Sequence, residues 1–172
     1  DFDGYPQEVF VATFQGESSP AVHKLPRTLS GDETAKELTT SGRLTWRSKS
    51  HDLCFLAESH AVQRVYQIKD AGGDPASKAT VLTPGKVVVD SFSFDQNGQQ
   101  LAIVTSGLIH FNDVFLVMDL GSEAQYRRLT NVNPQVDQWR LPQVKIVKWK
   151  APDGVTVEGV LELPPGYDQE SD

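Results

Sequence analysis

Cysteine is almost absent. Cys54 stands alone among 172 residues, so the chain can form neither an internal disulfide nor a cysteine-built zinc site. It sits in the apolar run Leu53–Ala57, "LCFLA". A free thiol there is expected to be a small, buried, inert hydrophobe, because a reactive one needs a polar, electropositive setting. Long apolar runs are also missing. The longest resemble Val114–Met118, "VFLVM", far short of the ~20 residues a membrane-spanning helix needs. Positive charge is in deficit: 16 Lys and Arg against 23 Asp and Glu leave a formal charge of −7. No basic stripe offers itself to nucleic acid or to an anionic membrane surface, so neither partner is expected. Methionine occurs once, at Met118, and the chain opens on Asp1 with no charged and apolar leader. The start is therefore expected to be an internal cut. That leaves the compartment open, with the cytoplasm preferred and the periplasm the alternative.

What the chain does have is internal similarity. "SFSFDQNGQQLAIVTSG" (Ser91–Gly107) resembles "RLTWRSKSHDLCFLAES" (Arg43–Ser59), placing Trp46 on Phe94, Leu53 on Leu101 and Phe55 on Ile103. "RVYQIKD" (Arg64–Asp70) then matches "DVFLVMD" (Asp113–Asp119), and each copy passes a glycine before closing on Leu-Thr, at Leu82-Thr83 and Leu129-Thr130. A partial earlier copy is visible in "GDETAKELT" (Gly31–Thr39), which mirrors "GDPASKATVLT" (Gly73–Thr83), and in the turn and strand of "DFDGYPQEVFVATF". A period of roughly 45–50 residues is that of β-propeller blades.

Each copy reads as four short strands. In the last copy they fall at about 87–94, 100–105, 114–119 and 126–129. Asp3-Gly4 and Asp95–Gly98 ("DQNG") supply hairpin turns, since Asn, Asp and Gly tolerate positive φ. "LCFLA" and "LAIV" are apolar on both faces, as strands sandwiched between sheets are. Ser30 with Glu33 satisfies a helix capping box, but Pro75 and the β-prone "ATVLT" at the matching place argue for a turn and an outer strand. The expected fold is all-β: a partial β-propeller of about three four-stranded antiparallel blades, with repeats at about 1–39, 43–83 and 87–130. Three blades cannot close a ring of the usual four to eight. The open sheets are expected to self-associate through their edges.

After Thr130 the repeat stops. Residues 131–143, "NVNPQVDQWRLPQ", are polar, carry two prolines and read as a linker. A hairpin then turns at Pro152-Asp153-Gly154. On its second strand Val155, Val157, Gly159, Leu161 and Leu163 share one face. Thr156, Glu158 and Glu162 share the other, with Val160 the exception. Burying four such aliphatic side chains is worth roughly 1.5–3 kcal/mol each, and an isolated hairpin cannot bury them alone. Its partner surface is expected downstream.

The stretch "LTNVNPQVDQWRLPQVKIVKWKAPDGVTVEGVLELPPGYD" (Leu129–Asp168) resembles the prolyl oligopeptidase family of serine peptidases, in particular its acylaminoacyl-peptidase and dipeptidyl-aminopeptidase-like branch. The closing Leu-Thr, the Asn-Pro linker, "W.APDG" and "EG.L.LPPGYD" occur in family order and spacing. "FDQNGQQLAIV" is similar to the family's Phe-Ser-Pro-Asp-Gly blade signature, with Asp95–Gly98 in place of the proline form and Ser48-Lys49-Ser50 in the preceding copy. The resemblance implies a propeller over an α/β-hydrolase domain with a Ser-Asp-His triad. Residues 1–130 would be propeller, 131–143 the linker, and 144–172 the first hairpin of the hydrolase domain. The implied partners are that domain and, in the parent, short peptide substrates. No His-Gly-Gly motif and no G-x-S-x-G elbow occurs here, so no catalytic residue, cofactor site or metal site is assigned, and the chain itself is expected to be inactive.

Other constellations point to structure before chemistry. His23, His51, His60 and His110 are scattered, without metal-ligand spacing. Asp95, Asn97 and Gly98 open like a calcium loop but lack its later ligands. Asp70 and Asp119 end matching strands, which suits turn hydrogen bonds more than an acid/base pair. Trp46, Trp139 and Trp149 are expected in packing roles, with an aromatic substrate platform as the minority reading. Arg127-Arg128 is expected to be a solvated strand edge. The function so implied is the non-catalytic, access-gating part of a serine oligopeptidase. The alternative is a non-catalytic propeller scaffold of the periplasmic translocation-protein type, which explains the repeats but not the hairpin after the linker.

Overall fold

The computed structural model describes residues 9–14, 16, 19–25, 39–59, 61–73, 78–107, 110–121 and 123–167, with backbone alone at 39–42 and 110. Its architecture is all-β and open-sheeted. A small antiparallel hairpin comes first, β1 (Phe10–Thr13) with β2 (Ala21–Lys24). A four-stranded antiparallel meander follows: β3 (Thr39–Trp46), β4 (Leu53–Ser59), β5 (Val62–Ile68) and β6 (Ala79–Val81). A second meander repeats it with β7 (Val88–Phe94), β8 (Leu101–Gly107), β9 (His110–Met118) and β10 (Gln125–Arg128). The two are stitched by a single parallel pair, Gln63 with Val88. A short 3₁₀ helix, Pro134–Gln138, interrupts the linker. The chain then forms a ribbon of β11 (Gln143–Lys150) and β12 (Thr156–Leu163).

The internal repeat is visible bond by bond. In the first meander the Leu82 amide donates to the Val65 carbonyl (2.8 Å), and the Thr83 hydroxyl accepts from the Val65 amide (2.9 Å). In the second, Leu129 and Thr130 do the same to Val114, at 2.8 and 2.9 Å. The Leu-Thr pair thus closes each sheet by satisfying both backbone groups of one residue in its third strand. Asp70 and Asp119 occupy the same left-handed turn position, at φ 45° and 55°, where Asp is among the better tolerated non-glycine residues. The first-to-second-strand turns also correspond. The Arg47 amide reaches the Asp52 carbonyl at 2.9 Å, as Asp95 reaches Gln100 at 3.0 Å.

Those two turns stack on each other. The Arg47 Nε donates to the Gly98 carbonyl (2.6 Å), its guanidinium lies 5.7 Å from the centre of the Phe94 ring, and the Lys49 ammonium donates to Asn97 (2.6 Å). Gly98 is required here. Its φ is +69°, and a β-carbon would stand 2.8 Å from the Ser48 carbonyl oxygen.

Strand alternation puts two cores on opposite faces of the first meander. Leu53, Phe55, Ala57, Tyr66 and Ile68 face the β1–β2 hairpin and pack with Val9, Val11 and Leu25. Cys54, Leu56 and Val65 face the second meander and pack with Val89, Leu101, Ile103 and Val117. This is why "LCFLA" is apolar at every position: both faces are covered. In β8 only the face toward the first meander is fully buried. A bulge between Val89 and Ser91 lets Val89, Phe92 and Phe94 turn to one side despite their uneven spacing.

The strand readings for the last copy agree with the structure to within a residue or two, except that β9 starts earlier, at His110. Between the first two copies the division shifts. β3 already begins at Thr39, so the end of the segment assigned to the first copy belongs to the next sheet. Ser30, Glu33, Asp3-Gly4 and His60 lie outside the described residues.

Candidate functional site

Among the described residues polar side chains gather in places that differ in kind. The first is a cleft of about 510 Å³ where the β1–β2 hairpin meets the turn end of the first meander. Val11, Ala12, Phe14 and Trp46 supply its apolar walls, and Ser50, His51, Asp70, Gly72 and Gly73 its rim. The hairpin is held there by the Thr13 hydroxyl, which donates to the Gly72 carbonyl (3.4 Å). His23 Nε2 lies 3.0 Å from the Ala71 carbonyl. Trp46 is expected in a packing role, yet it is 53% exposed. It is the last residue of β3, at the turn, and its ring looks into the cleft.

The cleft brings Ser50, His51 and Asp70 together, but their bonds are those of a turn. The Ser50 hydroxyl donates to the Arg47 carbonyl (3.3 Å) and accepts from the Asp52 amide (3.2 Å). His51 Nδ1 stands 3.6 Å from the Asp70 carboxylate, with both side chains largely exposed. The serine hydroxyl is engaged by backbone on both sides, so the arrangement does not activate a nucleophile. Asp52 is likewise structural, accepting from the Gln67 side-chain amide and the Asp70 backbone amide. A second cleft of about 430 Å³ opens between the meanders beside Arg47, Lys69, Thr80 and Gly121.

The other polar cluster is built on Asp113, at 4% exposure. One carboxylate oxygen accepts from the Thr130 hydroxyl (2.7 Å) and the Val132 amide (3.0 Å). The other accepts from two guanidinium nitrogens of Arg128, the Nε at 3.0 Å. The Thr130 hydroxyl bond, followed by Arg128 and the Val132 amide, holds the Asp113 carboxyl below the usual carboxylate range against the opposing pull of desolvation. Arg127 and Arg128 are both exposed on the edge strand, as expected, but Arg128 is in addition the ion-pair partner of Asp113. The cluster fixes the first residues of the linker to the second meander. Sequence reading missed it because Arg64 occupies the matching place in the preceding copy.

The remaining candidates fall into place individually. Cys54 is wholly buried, and burial pushes its thiol up to about 12. Asp95 accepts from the Gln99 and Gln100 amides (2.6 and 2.8 Å) as a turn residue. Those amides, Gln100 first, hold its carboxyl below the usual range. Trp139 meets the Phe111 ring edge-on at 6.1 Å, joining the linker to the start of β9. In the ribbon, Trp149 covers Gly159, where a β-carbon would lie 2.9 Å from the indole. The register pairs Trp149 with Val157, Val147 with Gly159, Lys145 with Leu161 and Gln143 with Leu163, so the face read as apolar is apolar on β12 and mixed on β11, while Val144, Ile146 and Val160 lie on the other face. Lys148 with Glu158 and Lys150 with Thr156 hold the opposite face.

No family model matches the chain, and no curated protein matches it. Solved structures do. One is an isopeptidase, AtxE2, in its apo form: TM-score 0.59 at 19% identity, over 91% of this chain and 22% of that one. Another is a serine-to-alanine variant of AtxE2 with Astexin3-dC4 bound: TM-score 0.62 at 18% identity, over 95% of this chain and 23% of that one. The chain thus spans less than a quarter of these neighbours. The unmatched 9% of its 172 residues is shorter than linker and ribbon together, so the likeness takes in both the sheets and at least part of the tail. At this identity the likeness concerns the fold.

Proposed function

We propose that this chain is the non-catalytic propeller-and-linker portion of a serine oligopeptidase of the prolyl oligopeptidase type, in which the stacked meanders are blades that restrict access of short peptides to a hydrolase domain. The observation that supports this reading is the fold likeness, over 91–95% of the chain and so over the sheets and at least part of the tail, to an isopeptidase. Repeated sheets alone would fit many propellers, whereas a ribbon following the last sheet suits a second domain. The Asp113 cluster supports the same reading. It clamps Val132 to the last sheet and so fixes where the linker departs, which a gating part must do to keep its orientation over an active site.

The acylaminoacyl- and dipeptidyl-peptidase-like branch is the preferred parent, on the strength of "W.APDG" and "EG.L.LPPGYD" in residues 149–168. A fluorophosphonate probe, which labels activated serines, tests the assignment. The 172-residue chain is expected to stay unlabelled and to leave chromogenic peptides intact. The product of the same reading frame extended beyond Asp172 is expected to be labelled at a G-x-S-x-G serine. A frame that ends soon after Asp172, or labelling of the short chain, contradicts it.

A further inference from the structure

The internal repeat offers a comparison for the cleft at Trp46. In the second meander the equivalent aromatic is Phe94, and a guanidinium covers it: Arg47 lies 5.7 Å from its ring centre and donates to the adjacent turn at Gly98. Trp46 stands at the same strand end of the first meander, beside its own turn, but faces the 510 Å³ cleft. Among the described residues no Lys or Arg lines that cleft. Its walls carry a second exposed aromatic, Phe14 (71% exposed), and one carboxylate, Asp70. Among the described residues the charged-group neighbour of that carboxylate is His51, at 3.6 Å and beyond hydrogen-bond reach. Gly73 lies close beside the Asp70 side chain: a β-carbon there would stand 2.8 Å from the carboxyl carbon.

We infer that this cleft is a binding site for the cationic side chain of a peptide, arginine in first place and lysine in second. The methylene stem would lie along Val11 and Ala12, the charged head over Trp46 and Phe14, and the carboxylate of Asp70 would receive its donors. An aromatic face attracts a guanidinium through its quadrupole, and Trp does so best. A carboxylate beside it adds a charge-assisted, geometrically matched hydrogen bond. The cleft volume falls within the range of small-ligand sites, and the acidic chain as a whole, at −7, favours a cation. The inference stands whether or not the parent is a peptidase, since it concerns recognition alone.

The experiment titrates N-acetyl-arginine-N-methylamide, and separately its isosteric citrulline counterpart, into the isotope-labelled chain. The amide signals of Gly72 and Gly73 and the Trp46 indole are followed by NMR. Saturable shifts confined to these groups are expected with arginine, with citrulline weaker by about fivefold or more, as the loss of one exposed charge interaction implies. Asp70→Asn, which keeps a residue tolerant of positive φ, is expected to weaken arginine while leaving citrulline unchanged, the remaining difference being the aromatic contact. Phe14→Ala, outside the turn, is expected to weaken both probes. Equal affinity for the two probes, arginine binding unchanged by Asp70→Asn, or shifts absent from Gly72, Gly73 and Trp46 would each overturn the inference.

Discussion

The first meander and the terminal ribbon are both antiparallel sheet, yet they are stabilised in different ways. In the meander, β4 is buried on both faces, with the hairpin core on one side and the second meander on the other. In the ribbon, Trp149, Val155, Val160 and Leu161 all remain at least 40% exposed, and β11 and β12 pack extensively only on each other among the described elements. The second meander lies between, with one face of β8 covered and the other half-covered. Burial therefore falls from the first meander onward. A sheet covered twice carries its own stability, while a ribbon whose strands pack mainly on each other among the described elements relies on cross-strand pairs.

The largest effect expected is at the doubly covered sheet. Phe55→Ala removes a ring stacked on Tyr66 at 6.2 Å within the buried core and is expected to cost about 3–5 kcal/mol in urea unfolding. Leu116→Ala, on the half-covered face of β9, is expected to cost about 1 kcal/mol. Similar losses at the two positions would break the comparison. Next comes the seam between the meanders. Gly98→Ala forces a left-handed residue and a clash with Ser48, for a loss of about 1–3 kcal/mol, with the Arg47 contact disturbed as well.

A smaller effect concerns acid. The folded carboxyls of Asp113 and Asp95 are held below their unfolded values, so the stability they contribute is present above about pH 4. It is lost as pH falls through the lowered folded values. Asp113→Asn is expected to flatten that acid limb in pH-dependent melting and to speed proteolysis near Val132. An unaltered limb together with unaltered proteolysis would remove the cluster from the account. Smallest of all is the ribbon's Lys148–Glu158 pair. The lysine is largely exposed although Glu158 is nearly buried, so Lys148→Ala is expected to cost about 1 kcal/mol or less in urea unfolding.

How much of this was legible follows from which interactions are local. The turns at Asp95–Gly98 and at Pro152–Gly154 announce themselves through residues that accept unusual backbone angles. The Leu-Thr closures are legible because the same two residues recur after the same strand. Cys54 within an all-apolar run correctly signalled a strand covered on both sides. The Asp113 cluster was not legible. Its partners lie 15 to 19 residues away across the β9–β10 hairpin, and the repeat offered Arg64 at its place. Trp46 was misjudged for the opposite reason: its match to Phe94 implied a covered ring, and the cover, Arg47, belongs to the neighbouring sheet. Strand β2 went unread because "AVHK" is too short to show a period.

Hydrogen exchange followed by mass spectrometry tests the descending burial most directly. Peptides from β4 and β5 (residues 53–68) should exchange slowest, near the limit of global unfolding. Those from β8 and β9 should be intermediate, and those from the ribbon at 143–163 fastest. Protection of the ribbon equal to that of residues 53–68 would contradict the account, because the ribbon would then be as well covered as the doubly packed sheet.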